Sequence, residues 1–599
     1  MSRLTVPIFY ACDDSFMKFT MVSIRSLIDN ASPDHDYVIY VLNSGISEDM
    51  RRRTRDMARD NVRIFFPDVS RHLESISGSL PLRDYYSKTT YYRLFIAEMF
   101  PEYDKAVYID GDTVVQGDVS RLFATDIGDS YLGACHEQAM VQTDVYGRYV
   151  EQVLGISRHS YFNAGLLLIN CRTFRERRIL ERFCGLLSEY NFVVTQDEDY
   201  LNLLCKDHVY WLDRRWNTEM YGDVDYPLSE ANVLHYIMVS KPWHYRDCMG
   251  GDVFWRYASE TDVYGEIRDI LENHTAEQKA RDAECMDNLA NLAEREIARP
   301  DNYLKQLNAR RATDRVEIVE KIRSFERQGR FIEDVEDDPP SRTLMPSEIK
   351  YADRGIRQRV KTWTAFAVAH RFVNSLRRKN QFIIKEFRGL ENLSNLSSGA
   401  VITCNHFNAF DSFVMQLTYE AAKPKGRRFY RIIREGNYTS FPGFYGFLMR
   451  NCNTLPLSSN MGTMKKFVTA VDSLLKGGHL ILIYPEQSMW WNYRKPKPLQ
   501  DGGFTFAYRN KVPVLPCFIT MRDSDVLGPD GFPVQEYTVH VGEPISPDLS
   551  LSYREGVADM KNRNYAMWKD IYEREYGMPL EYETNRPELS GEELDQDAV

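Results

Sequence analysis

The sequence predicts an α/β protein made of two separate domains joined by a helical connector. Three observations lead there. A chain of 599 residues is too long for one core at roughly 100–200 residues per domain. Short β-rich runs alternate with helical ones on both sides of a central, strongly charged stretch in which apolar residues keep helical spacing. Hydrophobic residues at 43% and charged residues at 27% exclude wholesale disorder and low-complexity architecture. A net charge of -11 and a pI near 5.7 exclude nucleic acid as the partner of the chain as a whole.

Taken in order, residues 6–10 read as the first strand. Residues 17–28 read as a helix with Met21, Ile24 and Ile28 on one face, and residues 37–42 and 106–109 as further strands. Strands alternating with helices give residues 1–255 a largely parallel sheet. Residues 256–345 form the connector, with Val263, Ile267, Ile270 and Leu271, then Ile318, Ile322 and Phe325, at helical spacing. Pro300 interrupts it, and residues 339–341 mark a domain boundary.

Residues 346–578 form the second α/β domain. Its first segment, 350–388, holds eleven Lys or Arg against Asp353 and Glu386, with Trp363, Phe366, Val373 and Leu376 expected on one helical stripe. A basic amphipathic helix suits an anionic membrane surface, or else it is a solvated helix docked on its own domain. The acidic residues 579–599 are expected to be a disordered tail. No apolar run approaches the ~18–20 residues that span a bilayer, and Asp13, Asp14 and Lys18 come too early for a signal-peptide core. Ten scattered cysteines with no C-x-x-C pair fit a reducing compartment. The expectation is a cytoplasmic protein held peripherally on the inner face of the membrane.

A first constellation opens where residues 106–109 run into Asp110-Gly111-Asp112. Residues i and i+2 of an extended segment point to the same side, and strand ends are where α/β sheets bind ligands. Two hard oxygen donors there suit Mn²⁺ or Mg²⁺ on a diphosphate. Around this triplet stand Ala11 and Asp13 after the first strand, Arg93 in Tyr91-Tyr-Arg-Leu94, and Asn163 at the mouth of a strand within 162–170. Asp197 and Glu198 lie in the carboxylate cluster 197–199, and His235 and Lys241 follow.

In this order these motifs closely resemble the family 8 glycosyltransferases, retaining enzymes of the GT-A fold, over about residues 1–250. The resemblance implies Mn²⁺ held by Asp110, Asp112 and His235. It places Ala11, Asp13 and Arg93 along a UDP-sugar, Lys241 on its phosphates, and Asn163 and Asp197 around the sugar. Glu198 stands where the family usually has glutamine, near the anomeric carbon, so it acts as nucleophile or stabilises an oxocarbenium-like transition state. The reading leans to the second. Met238 replaces a preferred glycine three residues after His235.

A second constellation follows a strand at 400–404. His406 and Asp411 are about 140° apart on a regular helix, so they meet only if His406 lies on the loop and Asp411 in the first turn of the next helix. That pairing is a general base with its orienting acid, the acceptor alcohol being the nucleophile. With the blocks at 441–447, 477–488, 512–516 and 541–545, Asn405-His406-x4-Asp411 resembles the glycerolipid acyltransferases of the lysophosphatidate type, over about residues 380–550. The resemblance implies His406 as base, Asp411 as its orienter, an acyl thioester on CoA or acyl carrier protein as donor, and Glu486 helping to bind the acceptor. Where the family has Glu-Gly-Thr-Arg this chain has Glu486-Gln-Ser-Met489, and Ser458-Ser459 replaces an arginine of the second block. Arginine forks clamp phosphates, so a less charged hydroxyl acceptor is expected, with Arg494, Lys495 and Lys497 as replacement charge.

Together the halves suggest a bifunctional transferase that adds a hexose and an acyl group to a lipid or glycan acceptor. The alternative is a glycosyltransferase whose acyltransferase-like half is a lipid-binding tether.

Overall fold

A computed structural model describes residues 3–74, 88–336, 341–351 and 355–585. Asp353, residues 339–340 of the expected boundary and 586–599 of the acidic tail lie outside the described residues. The chain forms two compact units, Met1–Leu307 and Asn308–Val599. The division falls inside the stretch expected as a connector.

The strands of the first unit are β1 (Thr5–Ala11), β2 (Asp36–Leu42), β3 (Val62–Phe65), β4 (Ala106–Ile109), β5 (Thr113–Val115), β6 (Leu132–Ala134), β7 (Leu166–Ile169), β8 (Val209–Trp211), β9 (Thr218–Glu219) and β10 (Val233–His235). A seven-stranded sheet runs β3-β2-β1-β4-β7-β6-β8. Along β1, Val6, Ile8 and Tyr10 enter one core and Phe9 and Ala11 the other, so the period of two is buried on both faces, as helix-covered sheets require.

Strands β1, β2, β3 and β4 are parallel. Strand β7 runs against both β4 and β6, so the sheet is mixed where a largely parallel one was expected. The reversal matters because it brings the start of β7 beside the end of β4. The chain turns from β1 toward β2 on one side and returns as β4 on the other, a switch point that opens a crevice at the strand ends. A three-stranded sheet, β5-β10-β9, closes over it, with His235 opposite Thr113. The helix Ala276–Ala298, capped by Thr275 and Gln278, buries Leu289 and Ala293 against this unit and belongs to it.

The second unit has β11 (Ile383–Arg388), β12 (Ala400–Thr403), β13 (Phe429–Ile433), β14 (Thr454–Pro456), β15 (Leu480–Ile483), β16 (Val514–Leu527) and β17 (Pro533–Val541), ordered β11-β17-β16-β12-β15-β13-β14. Central β12 lies parallel to β15 and β16, so the segments leaving β12 and β15 emerge on the same edge. The helix Tyr553–Tyr576, opened by the Ser552–Glu555 capping box, covers the sheet, with Trp568 and Asn564 fully buried.

The helix Ile356–Arg378 differs from its expected stripe. Thirteen residues at 100° each set Trp363 and Leu376 about 140° apart, and the buried line is Ala365, Ala369 and Val373. Trp363 is 73% exposed and lies with Ile356 and Val360 on an outward apolar line. Among the described residues no helix is long and apolar enough to cross a membrane.

Candidate functional site

In the first unit, Ala11, Asp13, Arg93, Asp110, Asp112, Asn163, Asp197, Glu198, His235 and Lys241 all line one cleft of about 370 Å³. Asp110-Gly111-Asp112 is a turn and not the extended triplet the sequence suggested. The carboxylates converge because the turn folds against the helix Met17–Asn30, where a Cβ at Gly111 would come 2.3 Å from Thr20 Oγ1. A histidine 123 residues beyond Asp112 then arrives on β10. His235 Nε2 lies 3.3 Å from Asp112 Oδ1 and 4.0 Å from Asp110 Oδ2, and one ligand atom from each of the three falls within 4.8 Å of the others.

Each member is held from behind. His235 Nδ1 meets Asn217 Oδ1 at 3.0 Å, which turns Nε2 toward the acids. Asn217 in turn donates to Asn163 Oδ1 at 2.8 Å, and Asn163 donates to Glu137. Asp110 Oδ1 accepts from Tyr108 at 2.6 Å and from Arg93 at 3.1 Å, leaving Oδ2 toward His235. Burial opposes charge on Asp112, but Lys241 and His235 outweigh it and hold the carboxyl well below its ordinary range. Lys241 Nζ donates to Asp112 Oδ2 at 2.7 Å. One imidazole and two carboxylates suit a borderline-hard ion such as Mn²⁺, so the residues present fit the divalent ion that the resemblance implies.

Arg93 is buried among Asp110, Asp197 and the Ala164 carbonyl; its fork is spent on the cleft wall. Asp13 Oδ1 accepts from Ser15 and Phe16 N. Asp197 and Glu198 occupy the first turn of the helix Asp197–Cys205. Burial pushes Asp197 up to about 6, against the pull of Arg93. Burial and then Glu137 push Glu198 well above the ordinary carboxylate value, while its Oε2 accepts from Ala164 N at 2.8 Å. Asp199 serves packing, accepting from Tyr149 and Tyr161. Sequence reasoning missed Asn217 and Glu137, which touch the predicted residues without belonging to any motif read there.

A further cluster, His244, His274 and Asp282, offers three ligand atoms near the cleft. Its imidazoles stack at 4.4 Å with planes 4° apart. A common ion has to lie near both ring planes, which parallel rings cannot provide, so the cluster reads as packing.

In the second unit His406 lies on the loop after β12 and Asp411 begins the helix Asp411–Ala422, with His406 Nδ1 2.5 Å from Asp411 Oδ2. Asn405 locks the loop by exchanging two hydrogen bonds with the Ile519 backbone, at 3.0 and 2.8 Å. Tyr484, at the end of β15, stacks on His406 at 4.2 Å and donates to Asp411 Oδ1 at 2.8 Å.

Glu486 departs from its expected role. It is 2% exposed, and its oxygens accept from His406 N at 2.9 Å and Lys497 N at 2.8 Å, so it braces the loop that carries the base. The expected replacement charges are also engaged. Arg494 pairs with Asp523, Lys495 with Glu326, and Lys497 with Ser488. Burial pushes Lys497 down to about 8. The altered third block has a structural reason, because Ser488 Oγ donates to Phe331 O and Trp490 Nε1 to Glu333 O, docking the segment before residue 337. Arg434, which sequence reasoning did not single out, forks onto Asp334 at 2.7 and 2.8 Å.

Residues 7–247 match the model of "Glycosyl transferase family 8" and residues 385–520 that of "Acyltransferase". The Haemophilus influenzae protein named "Putative glycosyltransferase" is 30% identical over 253 residues, covering 40% of this chain and 73% of its own. The Escherichia coli "Lipopolysaccharide 1,2-glucosyltransferase" is 23% identical over 262 residues, covering 40% of this chain and 74% of its own. A solved active-site mutant of LgtC is 31% identical, covering 43% of this chain and 96% of its own with a TM-score of 0.37. The chain is a transferase: it belongs to glycosyl transferase family 8 through its first unit and carries an acyltransferase-family domain in its second.

Proposed function

We propose that the first unit transfers a hexose from a UDP-sugar with retention, and that the second transfers an acyl group from a thioester of CoA or acyl carrier protein to a hydroxyl. The product would be an acylated glycolipid or an acylated surface-glycan precursor. The convergence of ten anticipated residues on one cleft carries the sugar reading. Asp110, Asp112 and His235 would hold the divalent ion, which when bound supplies positive charge against the departing diphosphate. Lys241 adds a second cation on the same side, while Asn163 and Asp197 orient the sugar. Burial and Glu137 raise the proton affinity of Glu198 and Ala164 N engages its Oε2, which both lower its nucleophilicity and leave the stabilising role.

For acyl transfer, Asp411 holds Nδ1 of His406, and Nε2 takes the proton of the acceptor hydroxyl. The oxygen then bonds to the thioester carbonyl, the C–S bond breaks, and His406 returns the proton to the leaving thiol. Phosphate forks are absent from the third block among the described residues, and Arg494, Lys495 and Lys497 are all paired, which supports an acceptor less charged than lysophosphatidate. The outward Ile356, Val360 and Trp363, the half-exposed Tyr445 and the neighbouring basic residues suit peripheral attachment to an anionic membrane on the cytoplasmic side.

The test incubates full-length protein with a UDP-sugar panel, Mn²⁺, palmitoyl-CoA and a bacterial lipid extract, following UDP and thiol release. His406→Ala should abolish acceptor-dependent thiol release and retain UDP release. Acylation unchanged by His406→Ala would overturn His406 as the base, absence of acceptor-dependent thiol release from the native protein would favour the tether, and no UDP release from any sugar would refute the first half.

A further inference from the structure

The dyad His406–Asp411 has a third member that no motif comparison assigns. Tyr484 is bonded to the half of the dyad that His406 leaves over: His406 Nδ1 takes Asp411 Oδ2, and the Tyr484 hydroxyl donates to Oδ1 at 2.8 Å. The same ring lies on the imidazole, centroids 4.2 Å apart and planes 19° apart. Two independent contacts thus run from one side chain to both partners. Both arise from sheet topology, since β15 lies beside β12 in parallel register, with Thr403 opposite Ile483. The residues just past these strands therefore leave the sheet side by side.

Resting on the acyl-transfer reading, we infer that Tyr484 is a positioning residue that sets the proton affinity of His406 by sharing the Asp411 carboxylate, and fixes the imidazole plane by stacking. A carboxylate that accepts a hydrogen bond on one oxygen has less charge to offer through the other. Donation by Tyr484 therefore weakens the grip of Asp411 on an imidazolium. The donor role is secure because burial and then Asp411 keep the phenol far above its ordinary value, hence protonated. The other charged or titratable groups around the dyad are Arg431, which interacts with Asp411 and Tyr484, Glu486, which faces His406, and Cys404 and Tyr537, which face Asp411. Among the described residues Tyr484 is the side chain hydrogen-bonded to Asp411 Oδ1.

The experiment uses full-length protein and needs no acyl acceptor. Carbethoxylation of the His406 peptide by diethyl pyrocarbonate, which reacts with the neutral imidazole, is followed by mass spectrometry against pH in the native protein, Tyr484→Phe, Asp411→Asn and the double variant. Tyr484→Phe keeps the ring and removes the donor, and should move the midpoint up by about one pH unit, the size of one hydrogen bond to a charged group. Asp411→Asn should move it down, and the effect of Tyr484→Phe should vanish in that background. An unchanged or lowered midpoint in Tyr484→Phe, or an equal upward shift when Tyr484→Phe is combined with Asp411→Asn, would overturn the inference. Tyr484→Leu, which loses the stack as well, should speed carbethoxylation at high pH by freeing the ring; an unaltered plateau refutes the stacking half. Absence of acyl transfer with these shifts intact would instead count against the catalytic reading alone.

Discussion

Gly165 is the residue whose replacement tests the first site most directly. A Cβ there would lie 2.2 Å from His235 Cε1 and 2.9 Å from Asp110 Oδ2, where ordinary contact begins at 3.4 Å. In Gly165→Ala the imidazole therefore has to retreat by about 1 Å, although metal–ligand distances tolerate only about 0.2 Å. His235 is buried and tied to Asn217, so the ring cannot turn away without losing the bond that aims Nε2. The expected cost is roughly a hundredfold in turnover and ten- to a hundredfold in Mn²⁺ affinity, the size seen when the support of a ligand is lost. Free Mn²⁺ measured by electron paramagnetic resonance during titration reports affinity without any substrate, and UDP release reports turnover. Because the clash is confined to the cleft wall, with His235 and Asp110 as its partners, near-ultraviolet circular dichroism should remain native. A folded Gly165→Ala that binds Mn²⁺ with native affinity would refute the assignment of His235 and Asp110 to one ion.

Other expectations follow from the same contacts. Lys241→Ala removes the cation beside Asp112 and should lower kcat by about 10²–10³-fold with little change in melting temperature. Asp197, with a folded pKa raised to about 6 from 3.8, binds its proton more tightly in the native state. Its contribution is thus fully present below pH 3.8 and lost as pH rises through 6. Asp197→Asn should therefore gain stability relative to the native protein on going from pH 4 to pH 8, by at most about 3 kcal/mol, read by urea unfolding at both values; a constant difference excludes the raised pKa. Replacing Val360 and Trp363 by Ala should weaken flotation with anionic vesicles roughly tenfold and leave UDP release in solution unchanged.

Most of the architecture was legible because it rests on local rules. The strands at 106–109 and 400–404 are short apolar runs whose burial on both faces removes any polar alternation, and the switch from period two to helical spacing marks the α/β order. Where local pattern misled, a longer-range contact had prevailed. Spacing puts Trp363 on one stripe with Val373 but cannot say which side of a helix meets a partner, and the small residues Ala365 and Ala369 allow closer approach than the indole. The pattern of Asp110-Gly111-Asp112 reads as extended, but the close approach of Gly111 to Thr20 accompanies a turn there.

By itself the sequence determined the chemical inventory: which acids, imidazoles and amines exist, in what order, and at the ends of which strands. It also determined that His406 and Asp411 could meet only across a loop-to-helix junction, since five residues on a helix point apart. Tertiary structure alone decided how each group is used. Whether Glu486 faces a substrate or two backbone amides depends on β12 and β15 being parallel neighbours, and whether Lys497 carries spare charge depends on Ser488 lying beside it. His235 reaches Asp112 because β10 pairs with β5, and Tyr484 reaches Asp411 because two strands leave the sheet on the same edge. Such pairings join residues far apart in the chain, and the free energy that selects them comes from burying whole faces of sheet and helix, a sum that no single stretch of sequence contains.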